Sequence, residues 1–166
     1  MGADPPRPSA AAVGAVSDDG LDGLVGLKGD PFELVVERGK IREFAAATHS
    51  NHPAYLDGAD PVVPPTFFAS AAHWAPYEET LLERTGWDRR RMLHAAQEYA
   101  FPGPPPCAGA RLRGRAVITE AYEKPGRRGG MLRFLVITTD FVGDRGEVVA
   151  VSKTTVVATS QPPGDA

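Results

Sequence analysis

The stretch Gly39-Lys-Ile-Arg-Glu-Phe-Ala-Ala-Ala-Thr-His-Ser-Asn-His-Pro-Ala-Tyr-Leu-Asp57 decides how the rest of the chain is read. Ile41, Phe44, Ala45 and Thr48 recur at the spacing of one helix face, so a short amphipathic helix is expected there. Asn51-His52-Pro53 ends it, because proline lacks an N–H and pushes the residue before it toward extended conformations. A His- and Asn-rich loop follows. Beyond it, Pro64-Pro65-Thr66-Phe67-Phe68 reads as the start of a second helix, with Thr66 as its cap and the N–H groups of residues 67 and 68 unpaired. Phe67, Phe68, Ala71, Ala72, Trp74, Ala75, Leu81 and Leu82 make the span from Thr66 to about Arg84 apolar on most sides, as a helix buried under a sheet should be. Pro76 predicts a kink in its middle.

Working outward, residues 32–37 form a strand-like segment before the first helix. The second half changes period. Residues 92–101, 109–124, 130–142 and 147–159 are rich in β-branched residues that partly alternate, and read as four strands. They are separated by Pro102-Gly-Pro-Pro-Pro106, Pro125-Gly-Arg-Arg-Gly-Gly130 and Gly143-Asp-Arg-Gly146, all turn-forming sequences. One strand, two helices and four strands predict an α+β fold, an antiparallel sheet of about five strands wrapped around a long central helix. Residues 1–26 and 161–166 have few large apolar groups and are expected to be disordered tails, which leaves residues 27–160 as the single folded domain.

The net charge of −3 argues against general nucleic-acid binding, and the single cysteine, Cys107, excludes an intramolecular disulfide. No apolar run approaches the roughly 20 residues of a membrane-spanning helix. No basic and then apolar leader is evident, so a cytoplasmic location is expected.

Five pieces of the sequence, in order, resemble the MaoC-like hydratases and dehydratases. They are Gly39-Lys-Ile-Arg-Glu-Phe-Ala45, Pro53-Ala-Tyr55, Pro64-Pro-Thr-Phe67, Met92-Leu-His-Ala-Ala-Gln-Glu-Tyr99, and Tyr122-Glu-Lys124 with Gly130-Met131 beyond it. The resemblance is closest to the N-terminal, FAS1-like half, the group that includes the non-catalytic subunits of heterodimeric (3R)-hydroxyacyl-carrier-protein dehydratases. It implies a hot-dog fold and a functional unit of two such folds side by side, with the acyl chain and pantetheine arm in a tunnel at their junction. The family loop reads Gly-Asp-x-Asn-Pro-x-His, and its Asp and His do the chemistry. Aligned on Pro53, this chain has His49 for the Gly, Ser50 for the Asp, His52 for the Asn and Tyr55 for the His.

Dehydration of a 3-hydroxyacyl thioester needs a base for the α-proton, an acid for the departing hydroxyl and donors aimed at the thioester oxygen. Ser50 cannot replace a carboxylate, and a tyrosine such as Tyr55 has an ordinary pKa of about 10, too high for an unassisted base. The expectation is therefore a subunit whose MaoC-like partner carries the Asp and His, acting on an acyl-carrier-protein or coenzyme A thioester. Tyr55, Thr66, Phe67, Phe68, Ala71 and His94 are the expected tunnel residues. Arg89, Arg90, Arg91, Arg127 and Arg128 could dock an acidic carrier protein, though basic surface clusters are often merely solvated. No cofactor, metal, nucleic acid or membrane is expected, since His49 and His52 have no evident third ligand nearby. Two alternatives stand beside this one. The first is a homodimeric acyl-thioester enzyme using His52, Tyr55 or His94, and the second is a module that binds acyl chains without catalysis.

Overall fold

A computed structural model describes residues 21–73, 80–127 and 130–159; Trp74, Pro76, Arg128 and both expected tails up to residue 20 and from residue 160 lie outside the described residues. The element order is β1 (Phe32–Val35), α1 (Arg38–Ala47), α2 (Pro53–Leu56), three 3-10 helices (Phe67–His73, Glu83–Thr85 and Arg89–Arg91), β2 (Met92–Ala100), β3 (Arg111–Pro125), β4 (Met131–Val142) and β5 (Val148–Ala158). The strands form one five-stranded sheet in the order β1-β3-β4-β5-β2, and every pairing is antiparallel.

The sheet has an apolar inner face because its strands alternate. Along β5, Ala150, Ser152, Val156 and Ala158 are buried, and the residues between them are only partly covered. Two clusters of buried side chains lie on this face. One joins Leu34, Ile41, Phe67, Phe68, Leu112, Phe141 and Ala150 under α1 and the first 3-10 helix. The other joins Leu24, Leu81, Trp87, Ile118, Leu135 and Ala158. Between Ala150 and Ala158 the inner face of β5 carries the hydroxyls of Ser152 and Thr154, followed by the buried Val156.

The long central helix is the expectation the structure corrects. The segment from Phe67 to His73 is a 3-10 helix, and the only later helix in the expected span is the short Glu83–Thr85 turn, with residues 74–79 undescribed. Local hydrogen bonding accounts for the tighter winding. Ala69 N–H donates to the Thr66 carbonyl, and the Ser70 hydroxyl donates to the Phe67 carbonyl at 2.7 Å, both three residues back. The Phe67 N–H also donates to the Pro64 carbonyl at 2.9 Å, so it is not the unpaired donor expected from sequence.

Packing reaches further toward the N-terminus than the boundary expected at residue 27. Leu24 is fully buried, and Gly26 and Gly29 donate backbone hydrogen bonds to the Ile118 and Ala116 carbonyls of β3. Further along the same edge of β3, Gly114 pairs with Phe32 of β1, and a Cβ there would collide with the Phe32 ring. Gly114→Ala should displace that ring from its edge-on contact with Phe141 and destabilise the protein by about 1–3 kcal/mol, read from the denaturant midpoint.

Candidate functional site

The candidate loop begins where α1 ends. His49 takes the left-handed conformation with φ 54°, its N–H donates to the Ala46 carbonyl, and the Ser50 N–H donates to the Ala45 carbonyl. This is a Schellman close, a turn that favours glycine because other side chains crowd the backbone there. His49→Gly should therefore raise stability by about 1 kcal/mol, a melting-temperature gain of about 2–4 °C.

After the turn, His52 caps the single-turn helix α2. Its Nδ1 accepts from the Ala54 N–H at 3.2 Å, and Pro53 fills the first helical position. That bond has a chemical consequence. A neutral imidazole has one lone-pair nitrogen, and here the cap engages it, leaving Nε2 with the proton. His52 therefore presents an N–H at Nε2 and not a lone pair. Its ring lies 5.3 Å from that of Tyr55, which is half-buried against the first cluster. Tyr99 packs on the same cluster, and burial pushes its phenol above the ordinary range, so it offers no base either.

The expected tunnel residues divide by exposure. Thr66 is exposed, whereas Phe67, Phe68 and Ala71 are buried, with Phe67 edge-on to Phe44 and Phe68 tilted 4.3 Å from Phe141. In this chain those three serve the core. His94 is exposed on β2, where Nε2 lies 3.1 Å from Gln97 Oε1. Two sizeable clefts, about 490 Å³ between α1 and the first 3-10 helix and about 610 Å³ at the Pro102–Pro106 loop, include none of Ser50, His52, Tyr55 or His94. The structure brings His52 and Tyr55 together. It places His94 apart from them, at the other end of β2 from Tyr99.

The arginines are largely engaged. Arg89 pairs with Glu83 at 3.0 Å and Arg90 with Asp88 at 2.8 Å, while Arg91 Nε donates to the Thr159 carbonyl at 2.7 Å. Bonds from the Arg90 side chain and backbone hold the Asp88 carboxyl below its usual range, and the Thr80 N–H does the same for Glu83. Arg127 is exposed. Sequence reasoning placed Gln97 on the strand beside His94 but not the contact between them. Regular alternation sends residues three apart to opposite faces.

A five-stranded antiparallel sheet with its short helices on one face is a hot-dog fold, the architecture of MaoC-like dehydratases. Residues 23–152 match the family described as FAS1-like, dehydratase domain region, and the chain belongs to that family. It is 32% identical over 131 residues to a UPF0336 protein of Streptomyces griseus, covering 74% of this chain and 83% of the relative. A UPF0336 protein of Saccharopolyspora erythraea is 33% identical over 134 residues, covering 74% and 80%. Among solved structures, the C-terminally truncated HadBC (3R-hydroxyacyl-ACP dehydratase) complex of Mycobacterium tuberculosis matches with a TM-score of 0.65 and 25% identity, covering 81% of this chain and 97% of that one. The ChsH1-ChsH2 complex of the same organism matches in fold with a TM-score of 0.64 and 15% identity, covering 83% and 86%. No helix among the described residues is long and apolar enough to cross a membrane.

Proposed function

We propose that this chain is the non-catalytic subunit of a heterodimeric (3R)-3-hydroxyacyl-thioester dehydratase. The observation that carries the proposal is the candidate loop, where Ser50 and Tyr55 stand at the family's Asp and His positions and the cap engages the lone pair of His52. A MaoC-like partner supplies the Asp and His. The partner's pair removes the α-proton and protonates the departing hydroxyl, so that water leaves and a trans-2-enoyl thioester forms in fatty-acid or polyketide synthesis. This chain supplies tunnel wall, with Tyr55, Thr66 and His94 bordering the ligand and Phe67, Phe68 and Ala71 backing it. Arg127 and Arg128 steer an acidic carrier protein toward the junction.

Two features support pairing. The two sizeable clefts are lined by none of Ser50, His52, Tyr55 or His94, as expected of a site completed by a second fold. Among the described residues the edge strand β2 pairs with β5 alone, and it exposes Leu93 at 52%. A long edge of this kind invites another strand. Relatives of the same fold were solved as two-chain complexes.

The test of assembly is co-expression with a MaoC-like chain that carries an intact Gly-Asp-x-Asn-Pro-x-His loop, followed by sedimentation. A one-to-one complex is expected, and the chain alone should self-associate through the same edge. A stable monomer at micromolar concentration, with or without the partner, would count decisively against the proposal.

A further inference from the structure

His94 and Gln97 are three residues apart on one strand, yet their side chains meet at 3.1 Å. The register of β2 against β5 slips between His94 and Ala96, so Ala95 is an extra residue opposite β5. That bulge turns His94 onto the same face as Gln97. Bulges often re-aim a side chain beside a functional site.

The hydrogen bonds fix which atom faces which. Gln97 Nε2 donates to the Ser152 hydroxyl at 2.8 Å and lies 3.3 Å from the Lys153 carbonyl, whereas Oε1 accepts from the Thr154 hydroxyl at 2.8 Å. Reversing the amide would set its oxygen against the Lys153 carbonyl oxygen. Gln97 Oε1 therefore faces His94, and His94 Nε2 must carry the proton. The remaining nitrogen, Nδ1, is an acceptor with no partner among the described residues. His52 shows the opposite outcome, with its Nδ1 engaged by Ala54.

We propose that Gln97 is a positioning residue that locks His94 in the Nε2–H tautomer, and that His94 Nδ1 accepts a hydrogen bond from an N–H or O–H donor of the thioester ligand. The second half rests on the dehydratase function proposed above, because β2 is then the strand facing the junction. The donor belongs either to an amide of the pantetheine arm or to the 3-hydroxyl of the acyl chain. His94 orients the ligand and transfers no proton.

The tautomer is read first, from the ring ¹⁵N chemical shifts of the purified full chain, with His94→Phe assigning the signals. Wild type should show the Nε2–H tautomer, and Gln97→Leu should give a mixture. An Nδ1–H tautomer, or a pattern unmoved by Gln97→Leu, overturns the lock whatever the protein's activity. The ligand contact is read in the reconstituted complex. His94→Phe should raise KM about five- to tenfold, the loss of one neutral hydrogen bond, with a much smaller fall in kcat. His94→Asn, whose amide oxygen can sit where Nδ1 sits, should restore most of the loss. A pantetheine amide as donor predicts the same penalty for a 3-hydroxyacyl and a trans-2-enoyl thioester. The hydroxyl as donor predicts it for the 3-hydroxyacyl thioester alone. An unchanged KM for both overturns the contact. An inactive wild-type complex would sink the proposed function and the contact together, while leaving the tautomer result standing.

Discussion

In the reconstituted complex, Tyr55→Phe should leave turnover within about tenfold of wild type, no more than the loss of one neutral hydrogen bond. Replacing the partner's catalytic histidine should lower kcat by roughly 10²- to 10⁴-fold, the usual contribution of a positioned acid–base group. The contrast follows from where ionisable groups stand. Tyr55 is half-buried against the first cluster, Ser50 has no acidic proton near neutral pH, and among the described residues no hydrogen bond or ion pair joins a carboxylate to His52 or His94. A large loss with Tyr55→Phe, or with His52→Ala, would move the chemistry into this chain and favour the homodimeric enzyme.

The second large effect is on stability. Phe67 has no exposed surface and touches both Phe44 and Phe68 edge-on. It links α1 to the inner face of the sheet. Phe67→Ala should cost about 3–5 kcal/mol, because removing the ring forfeits its burial and leaves a cavity the neighbours fill only in part. The melting temperature should fall by roughly 10 °C or more. Ala71 tests the same packing from the other direction. It is 6% exposed within that cluster, so Ala71→Leu should overpack it and destabilise by about 1–3 kcal/mol. If Ala71→Leu instead leaves stability unchanged and lowers kcat/KM on long acyl chains alone, Ala71 lines the tunnel.

The sheet was legible because strand signals and turn signals agreed. β2 to β5 begin and end within about two residues of the expected positions, since Pro102–Pro106 and Gly143–Gly146 interrupt runs of alternating β-branched residues. The helix beginning near Thr66 was not legible in the same way. Phe68 and Ala71 are both buried, but a spacing of three suits a 3-10 helix as well as an α-helix. Apolar periodicity located that face without fixing its winding. Leu24 shows another limit, because one leucine in a Gly- and Asp-rich segment is too little to mark a docked turn. At the candidate site, the loop from His49 to Tyr55 could be found by its residues alone. The His94–Gln97 contact could not, since it depends on a bulge at Ala95 that no composition or period announces.

The central claim is that the chain lacks its own acid–base pair and needs a partner to act. Turnover of a (3R)-3-hydroxyacyl thioester tests it most directly, measured for the purified chain alone, the MaoC-like partner alone and the two together. This chain alone should show no appreciable turnover, and the pair should form the trans-2-enoyl thioester. Turnover by the lone chain, abolished by His94→Phe or His52→Ala, would contradict it.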